Sequence, residues 1–256
     1  MNIYDNTNLG EYVNPKQYDI ENKGAAEIPM LLKWLGQSAR RVVELACGTG
    51  RVTIPMAEEG FEMTGVDITD SMLALARDKA QAKGVKAQWI HANMLEWNPE
   101  EQVDAVYMAG NSFQHLLTNT EQETFIKNVH GMLKEYGLLI FDLRNATNEE
   151  LAASDGTELS HCIDMPNGET VEYYYDSSYD PITQIQHNVT YRFYKDGDKL
   201  LRTDKSVIDL RYTYPQELHR LLSYHGFDIE CLYGNWRGDE LSSSSVQMVA
   251  ICRCRK

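Results

Sequence analysis

Residues 42–52, VVELACGTGRV, run from the apolar Val42, Val43 and Leu45 straight into Ala46, Gly48 and Gly50. Residues this small let a backbone press against a ligand, and they also suit a tight bend with no ligand at all. A second chemical signal follows in Gly65-Val66-Asp67, where Asp67 stands 17 residues after Gly50. An acid about 20 residues beyond such a turn suits the two hydroxyls of a ribose, because a carboxylate accepts from both. Dinucleotide sites spell G-x-G-x-x-G and seat a pyrophosphate on a helix N-terminus. Here the pattern is A-x-G-x-G, with no third glycine in the following helix. That argues against an NAD-dependent oxidoreductase, which stays as the first rival reading.

Such residues need rigid elements to hold them. Apolar residues at spacings of three and four predict a helix over 25–35. From residue 41 the pattern predicts a strand at 41–46, a helix at 51–59, a strand at 61–67 and a helix at 70–83. Strands at 85–91 and 103–108, a helix at 122–134 and a strand at 137–143 follow. Strands alternating with helices predict βαβ units and a mainly parallel sheet. The rhythm then breaks. Three segments rich in Tyr, Val, Ile and Thr, 169–175, 182–194 and 200–212, are separated by turn-forming residues and predict antiparallel strands. A helix at 215–224 and strands at 227–233 and 245–254 resume the first pattern. The antiparallel block is therefore an insertion in one α/β domain.

Bulk composition narrows the function classes. The chain has 256 residues, 43% of them hydrophobic, enough for a sizeable core. A net charge of −14, with the only dense cationic run at Arg253, Arg255 and Lys256, argues against nucleic acid as a partner. No apolar run nears the roughly 20 residues of a membrane helix. Residues 1–10 lack the basic flank and apolar stretch of a signal peptide. Five scattered cysteines fit a reducing cytoplasm better than a disulfide framework. Cys252 and Cys254 lack a second ligand pair, so no metal site is expected. The oligomeric state stays open, a homodimer included.

Several segments, taken in order, resemble class I S-adenosylmethionine-dependent methyltransferases of the small-molecule branch. VVELACGTGRV resembles their first motif and GVDITDSMLALAR (65–77) their second. HANMLEW (91–97) resembles the third-strand loop, and MAGNSFQHL (108–116) the loop after the fourth strand. RYTYPQELHRLLSYHGFDIECLYG (211–234) resembles their final helix and strand. The resemblance implies a doubly wound, mainly parallel, seven-stranded Rossmann-like sheet with an antiparallel β cap between strand 5 and the last helix. Residues 1–38 would form a lid, 39–143 and 213–256 the cofactor domain, and 144–212 the cap. S-adenosylmethionine is the implied cofactor and S-adenosylhomocysteine its product. Ala46, Gly48, Thr49 and Gly50 would meet its amino-acid half, and Glu44 would either orient the amino end through backbone or water or only support the glycine loop. Asp67 would take the ribose, Ile68 and Met72 the adenine face, Asn93 and Met94 the adenine ring, and Ala109 the methionine part. Many relatives carry Asp where this chain has Asn93, which leaves open the direction of that contact. Among the N-terminal tyrosines Tyr4, Tyr12 and Tyr18, the lid would place Tyr18 on the cofactor and Tyr12 on the acceptor.

Methyl transfer is an in-line displacement at a carbon on a sulfonium, so alignment and exclusion of water fall to the protein. Such positioning is worth about 7–11 kcal/mol in the best intramolecular models. A general base adds about 10²–10⁴-fold when the nucleophile arrives protonated. His115, just past the fourth strand, is the catalytic candidate, against a reading in which it only holds the loop. Asn111 either positions substrate or makes a turn. Tyr174 belongs to the run Tyr173–Tyr175, only one face of which can line a pocket. The expected reaction is transfer to an N or O atom of a small molecule. A non-catalytic cofactor-binding protein is the second rival.

Overall fold

The computed structural model describes residues 6–36 and 38–256, so Tyr4 lies outside the described residues. The described chain opens with a kinked 3-10 segment, Asn6–Tyr12, and a short helix α1, Pro15–Glu21. Asn14 starts α1 by accepting from the Gln17 amide, and Pro15 fits the first turn because it has no N–H to leave unpaired. Then come α2 (Ile28–Leu35), β1 (Arg41–Leu45), α3 (Thr53–Glu58), β2 (Glu62–Asp67), α4 (Asp70–Lys83), β3 (Gln88–His91) and β4 (Val103–Met108). A 3-10 turn, Ser112–His115, leads to α5 (Asn119–Met132) and β5 (Leu133–Arg144). Four long strands follow: β6 (Ser154–Asp164), β7 (Thr170–Asp180), β8 (Ile185–Asp196) and β9 (Lys199–Arg211). The last elements are α6 (Pro215–Tyr224), β10 (Phe227–Tyr233) and β11 (Gln247–Cys254).

The main sheet has seven strands in the order β10-β11-β5-β4-β1-β2-β3. Only β11 runs against its neighbours, so the sheet is mainly parallel, as expected. Its central strands are apolar on both faces, and the side-chain period of two sends alternate residues into two cores. In β5, Leu139, Phe141 and Leu143 join the core that also takes Phe125 of α5 and Leu218 of α6. Leu138 and Ile140 join the opposite core, with Leu31 and Leu35 of α2 and Met56. In β11, Cys252 and Cys254 are both buried in the first core and act as small apolar groups there.

The second sheet is antiparallel, in the order β6-β7-β8-β9, and is inserted between β5 and α6. Three strands were expected and four are present. The addition, β6, is exposed along nearly its whole length, so it carries no apolar alternation to reveal it.

Candidate active site

In an open parallel sheet, ligands bind beyond the carboxyl ends of the strands, where strand order reverses. In this chain the reversal lies between β1 and β4, and a cavity of about 330 Å³ opens there. That volume falls in the usual small-ligand range of roughly 300–1,000 Å³.

The turn after β1 forms the floor. Ala46, Gly48 and Gly50 all take left-handed backbone, with φ of 55°, 54° and 73°. Alanine is strained in that region and persists because neighbours hold the turn. The Cys47 amide donates to the Val66 carbonyl at 3.0 Å, and the Gly48 amide to Asp67 Oδ2 at 2.7 Å. Asp67 Oδ1 accepts the Thr69 amide at 2.8 Å. The carboxylate is thus clamped between the glycine turn and the start of α4, and burial raises its pKa. Each oxygen retains a lone pair for the cavity that Asp67 lines.

Ile68 and Met72 continue the wall, followed by Asn93 and Met94 beyond β3. Asn93 Oδ1 accepts the Leu95 amide at 2.9 Å, which fixes the side-chain orientation and leaves its NH2 group to donate.

Gly110, Ser112 and His115 close the far side, and the N-terminal segment adds Asn8, Leu9, Tyr12 and Tyr18. Tyr12 Oη lies 2.8 Å from His115 Nε2, and the Tyr12 ring packs on Tyr18 with centroids 5.8 Å apart. Desolvation lowers the His115 pKa to about 4. Desolvation, followed by the negative partners Tyr18, Glu11 and Asp67, raises that of Tyr12 well above the usual phenol. At neutral pH both groups are therefore uncharged. A phenol donating to Nε2 puts the ring proton on Nδ1.

Six expected contact residues do not line the cavity. Glu44 is buried behind the turn, where its carboxylate accepts from Thr53 and from Tyr107 Oη at 2.9 Å, and desolvation raises its pKa to about 7. The Thr49 hydroxyl donates to Asp19 and accepts from Lys79 at 3.1 Å. Gly50 makes room for the core: a Cβ there would stand 2.7 Å from the Trp89 ring. Ala109 is buried with its carbonyl accepting from Ser112. Asn111 takes a left-handed turn (φ 62°), and its amide donates to Asp142, which also accepts from Trp236 and Gln247. Tyr174 donates to Glu172 on the cap and packs edge-on against Phe193.

Other lining residues escaped the sequence reading, among them Asn8, Glu121 and Asp209. Asn8 and the Asp209 backbone exchange two hydrogen bonds, 2.8 and 2.6 Å long, across 201 positions. No local pattern announces such a pairing. Glu121 was findable as the acid of a capping box, Thr118-x-x-Glu121, though its place on a cavity was not.

A model of the methyltransferase domain family matches residues 42–137. A Geobacillus sp. (strain WCH70) protein that carries a methyltransferase name is 31% identical over 191 residues, 73% of this chain and 69% of that one. The glycine/sarcosine N-methyltransferase of Aphanothece halophytica is 30% identical over 142 residues, 54% of this chain and 52% of that one. The CcbJ methyltransferase from Streptomyces caelestis shares the fold, with a TM-score of 0.81 at 22% identity over 99% of this chain and 100% of that one. Fold, cavity and relatives together define a class I S-adenosylmethionine-dependent methyltransferase. The chain belongs to the methyltransferase domain family. The lining fits S-adenosylmethionine chemically: an oriented carboxylate for a diol, an unpaired amide donor at Asn93, and the apolar Ile68, Met72 and Met94.

Proposed function

We propose that this enzyme methylates an N or O atom of a small molecule, with nitrogen favoured, inside the cavity between the glycine turn and the N-terminal segment. The observation that carries the reading is the charge balance of the cavity. Asp67, Glu121 and Asp209 line it, and no lysine or arginine does among the described residues. Such a wall favours a neutral or cationic acceptor over a carboxylate or phosphate.

S-adenosylmethionine, when bound, supplies a methyl group on a sulfonium and leaves as S-adenosylhomocysteine. Asp67 would hold the ribose hydroxyls, Ile68 and Met72 the adenine face, and Asn93 would donate to the ring. The backbone at Ala46 and Gly48 would face the amino-acid half. Tyr12 and Tyr18 line the cavity and would exclude water from it. His115, with Tyr12 Oη on Nε2, stays uncharged at neutral pH and would take a proton only as Tyr12 passes its own to Nε2. A base held near 4 is weak for an alcohol or phenol, so it suits a nitrogen whose lone pair is already free. The glycine/sarcosine N-methyltransferase relative and the absence of a cationic wall point the same way.

The test is S-adenosylhomocysteine release with matched amine, phenol and carboxylate panels. Turnover on amines above the other two is expected. Turnover confined to carboxylates would overturn the reading.

A further inference from the structure

We propose that Arg192 of the β cap is the positioning residue that seats the N-terminal segment over the cavity, so that product release requires this seat to open. The proposal rests on the cavity being the methyl-transfer site. Arg192 lies on β8, outside the seven-stranded sheet, and is only 6% exposed. Its Nε donates to Glu21 Oε1 at 2.8 Å and its guanidinium also reaches Glu21 Oε2, Glu11 and Ser206 Oγ. Ser206 in turn donates to Glu11 at 2.7 Å. Tyr173 Oη donates to Glu21 at 2.8 Å, and the guanidinium lies 5.5 Å from the Tyr173 ring.

The two glutamates bracket the residues that reach the site. Glu11 immediately precedes Tyr12, and Glu21 is three residues beyond Tyr18 on α1. Among the described residues Arg192 is the one cation paired with either of them. Burial pushes the Glu21 carboxyl up, but donation from Arg192, Gln17 and Tyr173 more than reverses this and leaves it below its usual range. One guanidinium therefore bridges two partly buried carboxylates and offsets their mutual repulsion. Without it they would repel each other and draw water into the seat.

The segment is fixed differently on its other side. Asp19 bonds Thr49 and Lys79, and Glu27 pairs with Arg51, all on the seven-stranded unit. Loss of the Arg192 seat would thus leave Glu11, Tyr12 and the Tyr12–His115 contact held on the cap side, among the described residues, by Asn8–Asp209 and Ser206–Glu11 alone, and so loosen them, while α1 keeps its hold on the glycine turn.

Stopped-flow dissociation of S-adenosylhomocysteine tests this in the wild type, Arg192→Met, and Arg192→Met combined with Glu11→Gln and Glu21→Gln. The expected result is at least a tenfold faster release from Arg192→Met, with most of the change recovered in the triple variant because its carboxylate repulsion is gone. Release within twofold of the wild type, or a triple variant no slower than Arg192→Met, would overturn the proposal. Arg192→Lys, which keeps the charge and loses the fork, should be intermediate, and it serves if Arg192→Met does not fold. Native-state proteolysis within residues 6–24 reads the seat with no ligand present: faster cleavage in Arg192→Met supports it, and unchanged cleavage overturns it. A wild type that does not bind S-adenosylhomocysteine sinks the functional reading instead, and leaves the proteolysis arm to judge the seat.

Discussion

Tyr12 Oη and His115 Nε2 are 2.8 Å apart, and desolvation has moved their pKa values in opposite directions. Both groups are uncharged at neutral pH, and a proton taken by Tyr12 Oη as its own passes to Nε2 leaves one positive charge on the imidazole. A free amine needs no base to attack, so His115 would act by holding Tyr12 over the reacting atoms, where a misplacement of about 1 Å can cost about 10²-fold. His115→Gln is therefore expected to lower kcat by at least tenfold while S-adenosylhomocysteine affinity stays within threefold. With its pKa near 4, His115 should also impose no acid limb on the wild-type kcat between pH 5 and 8. Steady-state kinetics across that range checks both. An unchanged kcat in the variant would make His115 a loop-holding residue. Its place in the cavity was legible from MAGNSFQHL, because it falls just past a strand end. Tyr12 was legible only through resemblance, since nothing in its neighbours announces a partner 103 positions away.

At the scale of elements, β1 and the turn after it rest on a buried acid. Glu44 holds its proton up to about pH 7 in the folded chain, whereas a free glutamate releases it near 4.5. Between those values the folded state binds more protons than the unfolded one, so stability falls as pH rises. The contribution is fully present below about pH 4.5 and is lost on passing pH 7, amounting to about 3 kcal/mol for a shift of this size. Glu44→Gln should remove this fall. Thermal or urea unfolding at pH 5 and pH 8 checks it, and parallel pH slopes in the two proteins would contradict it. The strands and helices of the main sheet were readable because each buries a periodic apolar face. Thr49, Gly50 and Glu44 belong to the same motif, yet the motif does not say which residues face the ligand. Trp89, Asp19 and Thr53, which decide that, come from other elements.

At the scale of the molecule, the cavity is assembled from three parts that sequence separates widely. The seven-stranded sheet supplies the floor, the N-terminal segment the cover, and β9 of the cap supplies Asp209. The insertion was legible as a break in the βαβ rhythm. Its contacts with residues 8–24 were not, because Glu11–Arg192 and Asn8–Asp209 pair side chains and backbone 181 and 201 positions apart. Tyr174, chosen from an aromatic run, instead packs on the cap itself.

The central claim is that this assembled cavity holds the cofactor through Asp67. Calorimetric titration of S-adenosylhomocysteine into the wild type and into Asp67→Ala, with circular dichroism to verify folding, tests it most directly. The expected wild-type affinity is about micromolar, near −8 kcal/mol. Loss of hydrogen bonds to a charged acceptor, about 1.5–3 kcal/mol, should weaken the variant by roughly ten- to a hundredfold. No binding heat in the wild type, or equal affinity in a folded Asp67→Ala, would contradict it.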